Sequence, residues 1–116
     1  MDSALSALEG HVVFVEGKHD VAALEELGVR AQFVCAHGVP LRLVEKHVAT
    51  CQKNGCVLLF DFDNEGKRKN SVFTELLQSL GVNPLQPIRT RIKRVFGVQT
   101  VEQLPSRYHL LLSTSR

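Results

Sequence analysis

The sequence lacks tryptophan, contains a single tyrosine, and has no long hydrophobic run. Its apolar stretches at 12–15 and 56–60 are far shorter than the roughly 20 residues that cross a bilayer, so we expect no membrane-spanning segment. The first ten residues, MDSALSALEG, contain two acids and no basic residue, which is not typical of a secretory signal. We therefore expect a cytoplasmic protein without a membrane partner.

Cysteine is also scarce, and none of the three cysteines forms a C-x-x-C pair. An odd number of cysteines in a chain that lacks a secretory signal favours reduced thiols over a disulfide framework. Together with His37 and His47, the cysteines form the donor set of an alternative, a zinc site, but the usual ligand spacing is missing. Buried thiols that pack as small apolar side chains are the favoured interpretation.

The composition is that of an ordinary globular protein. With 44% hydrophobic and 22% charged residues over 116 positions, we predict one domain that spans residues 1–116. Residues 1–60 contain five Lys and Arg against seven Asp and Glu, whereas residues 61–116 contain nine against five. This basic second half is compatible with a polyanionic partner, and a solvated helix face is the alternative.

Strand and helix patterns alternate along the chain. Short β-branched and apolar runs predict strands at 11–15, 31–35 and 56–60, and helical periodicity predicts helices at 20–27, 41–51 and 67–80. A fourth helix follows Pro84 and should expose its arginines, Arg89 included, and the run YHLLL at 108–112 predicts a last strand. The fold class predicted is α/β: a three-layer domain with about four parallel strands flanked by helices.

Three acidic residues directly follow two of these strands. Glu16 comes after the first, and Asp61 and Asp63 come after the third, at the sheet edge where α/β proteins bind ligands. Side-chain alternation places Asp61 and Asp63 on one side, and Glu16 joins them if the two strands are neighbours. Three adjacent carboxylates repel one another unless a cation neutralises them, and Mg²⁺ or Mn²⁺ suits such oxygen ligands.

A cation held there would favour phosphodiester chemistry. It could stabilise charge on a phosphate oxygen, while Glu16 exchanges a proton with the attacking or leaving oxygen. Gly17 and Gly66 follow the acids and are interpreted as turn glycines that open onto helix N-termini, where backbone N–H groups receive phosphate.

Basic residues stand beside both glycines. Lys18, Lys67 and Arg68 are candidate contacts to the phosphate backbone of RNA or DNA, with a solvated turn as the alternative. Lys69 is interpreted as a solvated turn residue. Asp20 is interpreted as a helix N-cap.

Two other functions share part of this pattern. A calcium loop of the EF-hand type would need a bidentate glutamate where Val72 stands, so we reject it. A phosphatase of the haloacid-dehalogenase kind resembles the F-D-F-D string, but its motif ends the first strand and has Thr or Val where Glu65 stands. We therefore disfavour the phosphatase as well.

The strings VVFVEGKHDVAAL and VLLFDFDNEGK together resemble the Toprim domain of topoisomerases, bacterial primases and several nucleases. Glu16-Gly17 matches its Glu-Gly motif, and Asp61, Asp63 and Gly66 match its D-x-D-x-x-G motif. The tail at 79–105 resembles small archaeal Toprim proteins. The resemblance implies a four-stranded parallel sheet, Glu16 as general acid or base, and the two aspartates as Mg²⁺ ligands.

The chain also departs from parts of that family. Its one tyrosine, Tyr108, lies in an apolar run and is not placed as a topoisomerase nucleophile, and we expect no attached zinc or polymerase module. The expected function is therefore a metal-dependent nuclease-like or nucleotidyl-transfer activity on RNA or DNA. The alternative is a non-catalytic module that binds nucleic acid or a ribonucleoprotein.

Overall fold

The structure is a computed structural model that describes residues 2–114. In chain order its elements are α1 (Ser3–Ser6), β1 (Val12–Val15), α2 (Lys18–Glu26), β2 (Gln32–Cys35), α3 (Pro40–Asn54), β3 (Cys56–Leu58), α4 (Asn64–Ser79), α5 (Gln86–Phe96), a 3₁₀ turn (Val101–Gln103) and α6 (Leu104–Thr114). No helix within residues 2–114 has the length and apolar character needed to span a membrane.

The three strands form one parallel sheet in the order β2-β1-β3. The central strand β1 is buried along its whole length. Its side chains alternate between two hydrophobic clusters, with Val13 and Val15 in one and Val12 and Phe14 in the other. Since each cluster fills one face of the sheet, the sheet is the middle of three layers.

Helices cover both faces. The cluster with Val13 also contains Leu5, Leu24, Ile92 and Leu104, which belong to α1, α2, α5 and α6. The cluster with Phe14 takes its helical residues from α3 and α4. The predicted mixed α/β class with helices flanking a parallel sheet is confirmed, and the assignment of residues 1–116 to a single domain stays a prediction.

The predicted fourth strand at 108–112 is wrong, because this segment lies within helix α6. A short apolar run does not distinguish a buried strand from a helix. In the helix, Leu104, Tyr108 and Leu111 recur at intervals of four and three residues and pack on the core, whereas Leu110 is exposed. The apolar positions fit a helix only when the segment is considered from Leu104 onwards, and within residues 2–114 the sheet has three strands.

Candidate functional site

Glu16 and Asp61 meet at the carboxyl ends of β1 and β3. Because these strands are hydrogen-bonded neighbours, the residues that follow them emerge side by side. Glu16 Oε2 accepts a hydrogen bond from the backbone N–H of Asp61 at 3.2 Å. The carboxyl group of Glu16 thus lies against Asp61, and each of the two carboxyl groups shifts the pKa of the other.

This contact separates the acidities of the two groups. Burial, followed by the hydrogen bond with Glu16, raises the pKa of Asp61 to about 7. The pKa of Glu16 is lowered, first by the hydrogen bond with Asp61 and then by Lys69, although burial acts in the opposite direction. Below about pH 7 the pair holds one proton, which resides mainly on Asp61, and the proton is lost as the pH rises through that value.

Lys69 forms the ion pair that stabilises the charge on Glu16. Its Nζ lies 2.6 Å from Glu16 Oε1, and the two side chains are 30% and 21% exposed. The interpretation of Lys69 as a solvated turn residue is wrong. The helical spacing could have indicated this, because Lys69 lies three residues after Gly66 and therefore on the face of α4 that meets the site.

Asp63 has a different position from the other two acids. It is the N-cap of α4, and its Oδ1 accepts from the backbone N–H of Gly66 at 2.8 Å. Within residues 2–114, no group of three or more His, Cys, Asp or Glu side chains is arranged to hold a metal ion. The structure thus brings Glu16 and Asp61 together and uses Asp63 as a helix cap, and its role as a metal ligand stays a prediction.

The two glycines occupy different positions, Gly17 at the N-cap of α2 and Gly66 in the first turn of α4, and their role as turn residues stays a prediction. Gly17 has a φ of −163°, which is extended backbone that any residue adopts, and Gly66 lies within α4. Gly66 is required for another reason. A Cβ at this position would lie 1.8 Å from the carbonyl oxygen of Asp61, so the helix and the strand end approach too closely for any side chain.

Two further groups surround the acid pair, and neither was found from the sequence. Asp61 Oδ1 accepts from the backbone N–H of Val101 at 2.9 Å, at the start of the 3₁₀ turn. Asp20, which is 5% exposed, accepts from the N–H of Gly17 at 3.1 Å, and burial raises its pKa. Asp20 is the third residue of α2 and not its N-cap, although it caps the N-terminus through this bond.

Arg89 lies beneath the site on α5, where the sequence predicted an exposed side chain. It is only 7% exposed, so that prediction is wrong. The helical spacing could have shown this, because Arg89 lies three residues before the buried Ile92 and seven before Phe96. Burial lowers the pKa of Arg89, and the charges of Asp61 and Glu16 oppose that shift.

The predicted phosphate contacts lie at the surface near these elements. Lys18 and Lys67 are exposed in the first turns of α2 and α4. Arg68 is also exposed and forms an ion pair with Glu65 at 2.6 Å, which contributes little to stability. A groove of about 140 Å³ lies next to Lys69 and is lined by Ala36, Gly38, Pro40, Arg68, Lys69, Val72 and Phe73.

Comparison with known proteins identifies the relatives of this chain. It is 31% identical over 94 residues to a UPF0292 protein of Methanocaldococcus jannaschii, a match that covers 79% of this chain and 73% of the relative. The chain belongs to the UPF0292 family. UPF0292 proteins of Methanosarcina barkeri and Thermoplasma volcanium are 29% and 25% identical to it, covering 85% and 83% of this chain and 68% and 81% of theirs. These UPF0292 relatives are archaeal proteins.

A solved structure has the same fold. It is described as a putative protein from Aquifex aeolicus and matches with a TM-score of 0.68 at 24% identity, covering 86% of this UPF0292 chain and 94% of the other. At this level of identity the likeness shows the fold alone.

The identification as a Toprim domain is wrong. The relatives of the chain are UPF0292 proteins, and no family model matches it. The two short motifs occupy a small part of the sequence, and short motifs of acids and glycines after strands can arise in unrelated α/β proteins. The family assignment therefore rests on the similarity along most of the chain.

Proposed function

We propose that this UPF0292 protein carries out Mg²⁺- or Mn²⁺-dependent phosphodiester chemistry on RNA or DNA, as a nuclease or a nucleotidyl transferase. The observation that supports this proposal is the position of Glu16 beside Asp61 at the carboxyl edge of the sheet, where Glu16 Oε2 accepts from the Asp61 N–H and each carboxyl group shifts the pKa of the other. Two carboxyl groups that share a proton form a site where a cation can replace that proton.

The donor set fits a hard divalent cation. Mg²⁺ is usually bound by one or two carboxylates, with waters and substrate phosphates at its remaining positions. Glu16 and Asp61 would supply these carboxylates, and Asp63 would add a third if its side chain turned away from Gly66. When bound, the cation would stabilise negative charge on the phosphoryl oxygens.

The protein side chains would divide the remaining tasks. Lys69 keeps Glu16 ionised through the 2.6 Å ion pair, so Glu16 can accept a proton from the attacking water. Hydrolysis is the simpler outcome because water needs no further substrate site. Lys18, Lys67 and Arg68 would bind the phosphates on either side of the cleaved bond.

Cleavage of labelled RNA and DNA by the purified protein tests the proposal. With Mg²⁺ or Mn²⁺ present, we expect cleavage by the wild type and a loss of about 100-fold or more in Glu16→Gln, with nucleic-acid binding retained. Glu75→Gln, which changes an exposed acid on α4, is the matched control and should cleave at the wild-type rate. Equal cleavage by wild type and Glu16→Gln would contradict the proposal.

A non-catalytic module that binds nucleic acid or a ribonucleoprotein is the second candidate. Two observations favour it. The Asp63 carboxylate is engaged by the Gly66 N–H as a helix cap, and the described residues contain no group of three His, Cys, Asp or Glu side chains arranged to hold a metal ion. In the same assay it would bind RNA or DNA without a divalent cation and without turnover. Binding of this kind, unaffected by Glu16→Gln, would support the module over the enzyme.

A further inference from the structure

The outer edge of β3 is closed without a fourth strand. In the order β2-β1-β3, one side of β3 pairs with β1 and the other side has no strand partner. The carbonyl groups of residues 56, 58 and 60 point to that outer side, because alternate residues of a strand point the same way. Buried carbonyl groups need hydrogen-bond donors, so this edge requires a partner from another element.

Helix α5 and the residue before it supply those donors. The backbone N–H of Leu85 donates to the Cys56 carbonyl at 2.9 Å. The guanidinium of Arg89 donates to the carbonyl groups of Phe60, Asp61 and Leu58, with distances of 3.0 Å to Asp61 and 3.4 Å to Leu58. Arg89 thus takes the place that a neighbouring strand would occupy along the end of β3.

The same guanidinium fixes its own orientation by stacking. Its central carbon lies 4.6 Å from the centre of the Phe62 ring, so the plane of the group is held by an aromatic face on the residue next to Asp61. A planar fork with several donors can bind successive carbonyl groups, whereas a lysine ammonium is a single point charge on a flexible stem. Arginine is therefore suited to this position by geometry as well as by charge.

Asp61 is held from three directions as a result. Its N–H donates to Glu16, its carboxyl group accepts from Val101, and its carbonyl group accepts from Arg89. The first contact joins Asp61 to Glu16 and the second fixes the Asp61 carboxyl group, and both require the main chain at Asp61 to stay at the end of β3. The third contact is the one that holds this main chain from the outer side.

We propose that Arg89 is the positioning residue of the candidate site, and that its guanidinium holds the backbone at Phe60 and Asp61 so that the Asp61 carboxyl group meets Glu16. The consequence for catalysis rests on the function proposed above. The placement of Asp61 is independent of that function, and it can be measured in the protein without substrate or metal.

Amide hydrogen exchange in Arg89→Lys and Arg89→Met tests the placement. The Asp61 N–H reports directly on its bond to Glu16 Oε2, and the Val101 N–H reports on its bond to Asp61 Oδ1. We expect both amides to exchange about tenfold faster in Arg89→Met and less so in Arg89→Lys, while the β1 amides keep their wild-type rates. Arg94→Met removes an exposed arginine from the same helix and should change none of these rates.

Two results would overturn the proposal: unchanged exchange at Asp61 and Val101 in both variants, or equal acceleration throughout β1, which would indicate a general structural role. If Arg89→Met does not fold, Arg89→Lys decides. Where the wild type cleaves nucleic acid, Arg89→Lys should lower kcat about tenfold with an unchanged KM for the substrate. A wild type without activity would refute the proposed function and leave the exchange result to judge Arg89.

Discussion

At the scale of single residues, Glu16 and Asp61 carry the same chemical group in different surroundings. Glu16 accepts hydrogen bonds from Asp61 and Lys69, which stabilises its anion and lowers its pKa. Burial and the neighbouring Glu16 anion raise the pKa of Asp61. Two carboxyl groups whose pKa values are separated in this way can serve as a base and an acid at one pH.

The stability of the metal-free protein should depend on this proton. Because the pKa of Asp61 is about 7 in the folded state and that of an unperturbed aspartate is 3.8, protonation stabilises the fold, and the free energy of unfolding should decrease as the pH rises from about 4 to 7. The contribution of Asp61 to this slope should stay below about 1.4 kcal/mol per pH unit, the limit for one proton, because the carboxyl group is partly exposed.

Urea denaturation between pH 4.5 and 8, with a chelator present, measures this slope. Asp61→Asn should flatten the slope but not abolish it, because Asp20 also has a raised pKa and contributes with the same sign. Glu16 has a lowered pKa, so its contribution is lost only at lower pH. If the free energy of unfolding of Asp61→Asn depended on pH as steeply as that of the wild type, the assignment of the proton to this pair would be refuted.

Gly66 is the position where we expect the largest effect of adding a methyl group. Its Cβ would collide with the Asp61 backbone at 1.8 Å, and backbone cannot move aside as a side chain can. Gly66→Ala should therefore lower the free energy of unfolding by about 1–3 kcal/mol or more. Gly17→Ala is the matched control, since its Cβ would meet only His37 at 4.0 Å, and it should change the stability by less than about 0.5 kcal/mol.

At the scale of helices and strands, the elements that the sequence predicted well have signals of their own. Local sequence patterns predict them: apolar runs predict β1 and β3, and helical periodicity predicts α3 and α4. Helix α6 was missed because Tyr108 to Leu112 is apolar without clear periodicity, and its conformation is set by packing on α2 and the 3₁₀ turn. Tertiary packing of this kind is not encoded in the segment itself.

Substitutions within α6 distinguish the helix from the predicted strand. In the helix, Leu111 packs on the core and Leu110 is 51% exposed. Leu111→Ala should therefore lower the free energy of unfolding by about 1–2 kcal/mol, and Leu110→Ala by less than about 0.5 kcal/mol. Chemical denaturation measures both values. The reverse order would indicate that Leu110 shares a buried face with Tyr108, as it would in a strand.

The candidate site shows the same division between local and tertiary signals. Glu16 and Asp61 lie close together because each follows one of two neighbouring parallel strands, and both strands are predicted by their apolar runs. Lys69 and Val101 contact the pair only because α4 and the 3₁₀ turn dock where they do. The helical spacing from Gly66 to Lys69 indicates which face of α4 Lys69 occupies, but no pattern around Val101 specifies where the 3₁₀ turn docks, so the Val101 contact could not be predicted from the sequence alone.

At the scale of the whole molecule, the basic second half of the chain is compatible with a nucleic-acid partner. If Lys18, Lys67 and Arg68 bind three phosphates, the logarithm of the binding constant should fall with the logarithm of the salt concentration with a slope of about −2 to −3. Replacing all three by glutamine should bring the slope close to zero in a fluorescence anisotropy titration.

The matched control replaces three other exposed cations, Lys46, Lys93 and Arg94, by glutamine. It removes the same net charge from α3 and α5 but leaves the predicted contacts intact. We expect the slope of this variant to stay near that of the wild type. Equal loss of the slope in both triple variants would indicate a diffuse attraction by net charge, without a defined phosphate-binding surface.

The way in which β3 is closed has a consequence for association between molecules. A strand ladder spreads its hydrogen bonds over several peptide groups and can fray one residue at a time, whereas here one side chain serves three carbonyl groups. The Leu85 N–H would still cover the Cys56 carbonyl group, but a change in a single codon uncovers the other three carbonyl groups together. An uncovered parallel edge is a template for another chain, and variants at position 89 should therefore be prone to self-assembly and aggregation.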